Sequence, residues 1–141
     1  MAEYVNSSVQ TVASNGNIVY SSTAVSGNRC IQHREGSGIV TLRGLTNGQS
    51  NARFLVMFGG NIAIPTGGTV QEISLAIAIS GEAINSSYMR VTPAAVANYF
   101  NVSGSLYVTV PSGCCATIAV ENTSGEAILV DDANLIVTRV S

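Results

Sequence analysis

Apolar and polar residues alternate along this chain with a period of two, in short runs, and almost nowhere return every three to four residues. The runs are "NIVYSST", "GIVTLRG", "NARFLVMFGGNIAI", "TVQEISLAIAIS", "SLYVTVP", "CCATIAVEN", "AILVDD" and "ANLIVTRV". They are rich in Val, Ile, Thr and aromatic residues, which suit a pleated, half-buried surface. Turn chemistry separates them: "SNGN", "VSGN", "EGSG", "TNGQSN", "PTGG", "SGE", "VPSG" and "TSGE". This pattern predicts an all-β antiparallel sandwich or barrel of about eight to ten strands. One stretch departs from it. In "TPAAVANYF", Thr92 can cap and Pro93 suits a first helical position, so a brief helix or bent crossover is expected there.

Alternation also assigns faces. In "NARFLVMFGGNIAI", Phe54, Val56, Phe58, Ile62 and Ile64 form a core face, while Arg53, Leu55, Met57, Asn61 and Ala63 form a second face too apolar for plain solvent. The following strand places Ile73, Leu75, Ile77 and Ile79 inward and Glu72, Ser74, Ala76 and Ala78 outward. Side chains that small allow a close approach, and a subunit contact is expected on that face.

Length and composition narrow the possibilities. The 141 residues suit one domain, 1–141, with residues 1–12 able to serve as an N-terminal arm. Only 10% of residues are charged, against roughly 25% in an average soluble domain, so much of the surface is neutral or covered. The basic residues are all arginines, scattered among eight acids for a net charge of -2, which excludes a nucleic-acid stripe. Runs such as "ISLAIAIS" fall far short of the roughly 20 residues of a membrane helix, and no membrane insertion is expected. The opening "MAEYVNSSVQ" has neither a charged leader nor an apolar signal core, so synthesis in a cytoplasm is expected. The Asn-x-Ser/Thr triplets at Asn6, Asn85, Asn101 and Asn122 then carry no sugar.

Candidate chemistry is sparse. Cys114 and Cys115 are neighbours in an alternating strand, so their thiols point to opposite faces: Cys114 joins Ile118 and Val120, and Cys115 joins Thr117, Ala119 and Glu121. Such a pair cannot easily close a disulfide and lacks redox-centre spacing. A zinc site would have to recruit Cys30 and His33 from "CIQH", which also diverge, so packing thiols are the expected role. His33, the lone histidine, stands beside Arg34 and Glu35, where an ion pair is expected before a catalytic dyad. Asp131 and Asp132 lack the companion acids of a calcium site. "FGGN" and "PTGG" open no helix and so form no phosphate loop. No catalytic, metal or cofactor-binding residues are expected.

The succession "VASNGNIVYSST", "CIQHREGSGIVTLRG", "RFLVMFGGNIAI", "TVQEISLAIAISGE" and "ANLIVTRV" resembles the TNF/C1q-like jelly rolls from about Val9 to Val140, most of all their bacterial and phage-borne branch of trimeric heads on collagen-like spore-surface filaments. The resemblance implies a two-sheet sandwich and a homotrimer packed through outward residues of the inner sheet, with Leu55, Met57, Tyr107 and Ile136 as interface candidates. The chain lacks a Gly-X-Y stalk and an aromatic-rich receptor loop, which argues against filament and cytokine roles. The implied role is therefore a non-enzymatic virion component of a phage or prophage, a capsid decoration or head fibre docked on a capsid or other virion protein. Two alternatives stay open: a lectin-like or receptor-binding tip for a cell-surface glycan, with Tyr4, Tyr88, Tyr99 and Tyr107 placed outward, and a self-assembling bacterial surface protein.

Overall fold

The computed structural model describes residues 2–27, 29–44, 50–113 and 115–140. Among these, twelve strands form two antiparallel sheets. The first, called here the β6 sheet, runs β10 (Phe100–Pro111), β6 (Asn51–Ala63), β12 (Ile128–Arg139), β1 (Ala2–Asn6) and β3 (Ser22–Val25), with β2 (Gln10–Val12) also on β12. The second, the β7 sheet, runs β4 (Ile31–His33), β5 (Val40–Arg43), β11 (Cys115–Asn122), β7 (Ile73–Ile79) and β8 (Glu82–Ala83), with β9 (Met89–Val91) also on β7.

The core is the space between the sheets, filled by one parity of each strand. Phe54, Val56, Phe58 and Ile62 from β6 meet Val130, Leu135 and Val137 from β12 and Ile73, Leu75 and Ile77 from β7, and all are buried. Burying each such side chain contributes roughly 1.5–3 kcal/mol. The expected inward positions of β6 and β7 are buried, except Ile79, which is half-buried; a one-residue slip would turn every one of them to the opposite face.

Several boundaries differ from the sequence reading. "AILVDD" and "ANLIVTRV" are one strand, β12, kinked by a bulge between Asp131 and Asn134 where Asp132 takes φ 54°. The bulge inserts unpaired residues, which is why the alternation breaks there. In "NIVYSST" the alternation is right, with Ile18 and Tyr20 buried, but only its end lies in β3. Asn15 to Ile18 instead bond to the second half of β11, through Asn15 N–H to Asn122 O (2.8 Å) and Ile18 N–H to Val120 O (2.9 Å). The expected arm is not one at its start: Ala2–Asn6 is an interior strand between β12 and β3, and Tyr4, expected outward, is buried in the core. "TPAAVANYF" holds no helix. Pro93 is buried, Ala97 has φ 60°, and Phe100 already opens β10. The one helical turn among the described residues is a 3-10 turn at Asn85–Ser87.

Ser80 (φ 52°) and Gly81 (φ 87°) make the tight turn between β7 and β8, both left-handed as a two-residue hairpin requires.

Candidate interaction surfaces

The side of the β6 sheet that faces away from the core is built by the second parity of β10, β6 and β12. Register decides which of these residues meet. Tyr107 lies opposite Leu55, and Leu55 opposite Thr138; Met57 lies opposite Ser105 on one side and Ile136 on the other. Directly opposed residues have their Cβ atoms about 4.5–5.5 Å apart, so the four residues form one continuous apolar strip over three strands. Tyr107 is 67% exposed and Met57 38%, whereas Leu55 and Ile136 are half-buried. Charge stands only at the borders: Arg53 beyond Leu55, and Glu3, opposite Ile136 on β1.

Towards the other end of β6 the same face turns polar. Gly59 lies between Ser103 and Asn134, and Asn61 between Asn101 and Asp131. Asn101 Nδ2–H donates to Asn61 Oδ1 (3.2 Å), and Asn134 Nδ2–H donates to the Glu3 carboxylate. In the sequence Asn101 stands out only as a glycosylation triplet and Asn134 not at all, although they share parity with Tyr107 and Ile136 on their own strands.

The outward side of the β7 sheet is different. Ser74, Ala76 and Ala78, expected to receive a second subunit, are already buried within the chain. Beside them Asn15 and Ile18 pair with the edge of β11 through Asn122 O and Val120 O, and Arg90 lies opposite Ser74 across β7 and β9. Asn122, of the same parity as the inward Ile118 and Val120, is fully buried on the core side at the end of β11. Its Nδ2 donates to the carbonyls of Val12 (2.9 Å), Ala13 (3.2 Å) and Glu126 (3.0 Å), and its Oδ1 accepts from Ser124 N–H (2.9 Å). This buried network also places the Asn122 triplet out of reach of a sugar-transferring enzyme in the folded chain. Ser87 fills the gap along the β7 edge between β8 and β9, accepting from Ile77 N–H (2.9 Å) and donating to Ile84 O (2.7 Å). Tyr88 supports the Arg90 guanidinium at 4.7 Å, and Arg90 reaches Glu72 at 3.9 Å.

The chemical suspects of the sequence are dispersed. His33 forms no ion pair with Arg34 or Glu35; its Nε2–H donates to Ser37 O (2.7 Å), and its ring leans on Tyr4 at 4.4 Å and Tyr20 at 6.0 Å. His33 Nδ1 is buried and, among the described residues, has no hydrogen-bond partner, as is the case for Tyr20 Oη. Burial pushes the Tyr20 phenol, and less strongly that of Tyr4, above the usual tyrosine range. Cys30 is buried, with Arg139 Nη1–H directed at its sulfur (3.2 Å). Cys115 is exposed on the outward side of β11, opposite Arg43. Cys114 lies outside the described residues. Among the described residues no three His, Cys, Asp or Glu side chains come together as a metal group.

No family model matches the chain, and no curated protein does. Solved structures do. The Eiger TNF structure from S. frugiperda aligns with TM-score 0.73 at 12% identity, covering 99% of this chain and 91% of that one. The globular domain of zebrafish complement 1qA aligns with TM-score 0.64 at 11% identity, over 96% and 94%. Murine APRIL aligns with TM-score 0.63 at 10% identity, over 97% and 98%. The fold is the TNF/C1q jelly roll. At such identities the likeness is one of architecture, so function must be argued from the surfaces themselves.

Proposed function

We propose that this jelly roll is a non-enzymatic building block that assembles as a homotrimer through the outward face of the β6 sheet, and that it serves as a capsid decoration or head fibre of a phage or prophage virion. The observation that carries the proposal is the strip of Tyr107, Leu55, Met57 and Ile136, a large apolar surface on the wrong side of a sheet whose other side already forms a complete core. Water contact with such a strip is unfavourable. Covering one side chain of this size is worth roughly 1.5–3 kcal/mol, and three-fold closure repeats the gain at each subunit. Closed cyclic symmetry also covers the strip without open-ended growth. The TNF/C1q-like architecture supports self-association, and Leu55, Met57, Tyr107 and Ile136 are its contact residues. The virion role rests on the sequence resemblance to the bacterial and phage-borne branch and on a surface poor in charge.

Two measurements test the two halves separately. Light scattering coupled to gel filtration should give the mass of three chains at micromolar concentration; one chain rejects the assembly. Antibody-gold labelling in electron microscopy of the source lysate should place the protein on capsids, docked on another virion protein. Label confined to cell surfaces points to the bacterial surface protein instead.

A further inference from the structure

On the opposite sheet from the apolar strip, the outward side of β7 and β11 carries a groove of about 240 Å³. Its floor is the cross-strand pair Ala78 and Ala119, and one wall is Ile39, 47% exposed. Around this apolar base stand four polar side chains: Asn15, Asn17, Thr117 and Glu121. The backbone sets them there, because Asn17 forms an isolated bridge with Glu121 and Asn15 turns the preceding segment inward at φ 65°. None of the four side chains takes a hydrogen-bond partner among the described residues.

We infer that this groove binds a neutral saccharide, one ring at a time. The donor and acceptor inventory selects the class. Asn amides and the Thr hydroxyl both donate and accept, and Glu121 accepts, which matches sugar hydroxyls that do both. An anion finds no Arg or Lys on the lining and meets the Glu121 carboxylate. An apolar ligand would strip water from four polar groups and return no hydrogen bond. An extended peptide pairs with a strand edge, and the floor is a sheet interior. The volume lies just under the range of roughly 300–1,000 Å³ that holds drug-sized ligands, which leaves room for a single ring. Ile39 presents the exposed apolar surface on which the C–H face of a pyranose rests, and the small, buried side chains of Ala78 and Ala119 keep the floor open beside it. The groove and the strip lie on different sheets, so the inference does not depend on the trimer.

The test is titration of ¹⁵N-labelled protein with D-glucose, D-galactose, D-mannose and N-acetyl-D-glucosamine, with inorganic phosphate as the charged comparison. At least one sugar should shift the amides of Asn17, Thr117, Ala119 and Glu121. Glu121→Gln should weaken that sugar about tenfold, the loss of one charge-assisted hydrogen bond. Ala119→Leu should abolish the shifts while circular dichroism and the light-scattering mass stay unchanged. Asn17→Ala, at an exposed position, should weaken binding several-fold and carries the test if the leucine variant does not fold. The inference is overturned if none of the four sugars shifts these amides, if phosphate shifts them as strongly, or if a folded Ala119→Leu chain binds as before. A monomeric mass with sugar binding intact would reject the trimer alone.

Discussion

The two outward faces of the sandwich solve the same problem in opposite ways. Both belong to strands whose other face is largely buried, and both are poor in charge. The β7 sheet carries Ser74, Ala76 and Ala78 there, side chains so small that their neighbours in the chain leave them buried. The β6 sheet carries Leu55, Met57, Ile136 and Tyr107, of which the described residues leave Tyr107 and Met57 exposed and Leu55 and Ile136 half-buried. Side-chain volume alone therefore did not mark the contact face: the small residues had been read as the place where another surface approaches, and they are covered from within. What sets the proposed contact face apart is large apolar area left over after the chain has folded.

The largest effect should come from placing charge on the strip. Met57→Glu, or Leu55→Glu, buries a carboxylate from each subunit in the proposed trimer. We expect light scattering to fall from three chains to one with the β-sheet circular dichroism retained, since an unpaired buried charge costs several kcal/mol. A trimeric mass for either variant would move the contact elsewhere.

Next in size is Asn122→Ala, which removes the buried side chain that ties Val12, Ala13 and Glu126 to the end of β11. Three carbonyls and one N–H lose a partner, at about 1–3 kcal/mol for each one left buried and unsatisfied. Denaturant unfolding should show a loss of about 3 kcal/mol or more without a change in mass. Faster hydrogen exchange at Asn15 and Ile18 should locate the damage.

Ala76→Leu asks whether the covered face has room. Overpacking a closed site costs about 1–3 kcal/mol, so the melting temperature should fall by several degrees. An unchanged melting temperature and a new assembly contact would restore the subunit-contact reading of this face. Ser86→Glu, exposed beside the 3-10 turn, should change stability by less than about 0.5 kcal/mol and leave the mass alone.

A smaller prediction concerns the core beneath both faces. Folding raises the Tyr20 phenol above its unfolded value of about 10 by desolvation. A raised pKa contributes stability that is complete below the unfolded value and is lost as pH climbs beyond it. Unfolding free energy should therefore decline above about pH 10, and Tyr20→Phe should flatten that decline. The same substitution should cost little at neutral pH, because the buried hydroxyl has no partner to lose.

How much was legible follows from what each signal depends on. The inward residues of β6 and β7 were readable because strand parity is a local property of the backbone. The four strip residues were nominated by a resemblance to a family, and register then set Tyr107 against Leu55 and Met57 against Ile136. Two supposed strands at the C-terminus merged because a bulge at Asp131 to Asn134 hides the continuity of β12. The saccharide groove had no sequence signal, since Asn15 and Asn17 reach Glu121 across more than a hundred residues of chain.

By itself, the sequence determined that the chain would be nearly all strand, which side chains would be buried between sheets, and that charge would be scarce, because these follow from period, composition and residue type. Only the tertiary structure decided which outward faces the chain covers for itself, that Ala2–Asn6 is a central strand, and that a groove opens beside Glu121. Those outcomes depend on which distant strands pair and in what register, and pairing is settled by the joint packing of the whole sandwich, which no local stretch encodes.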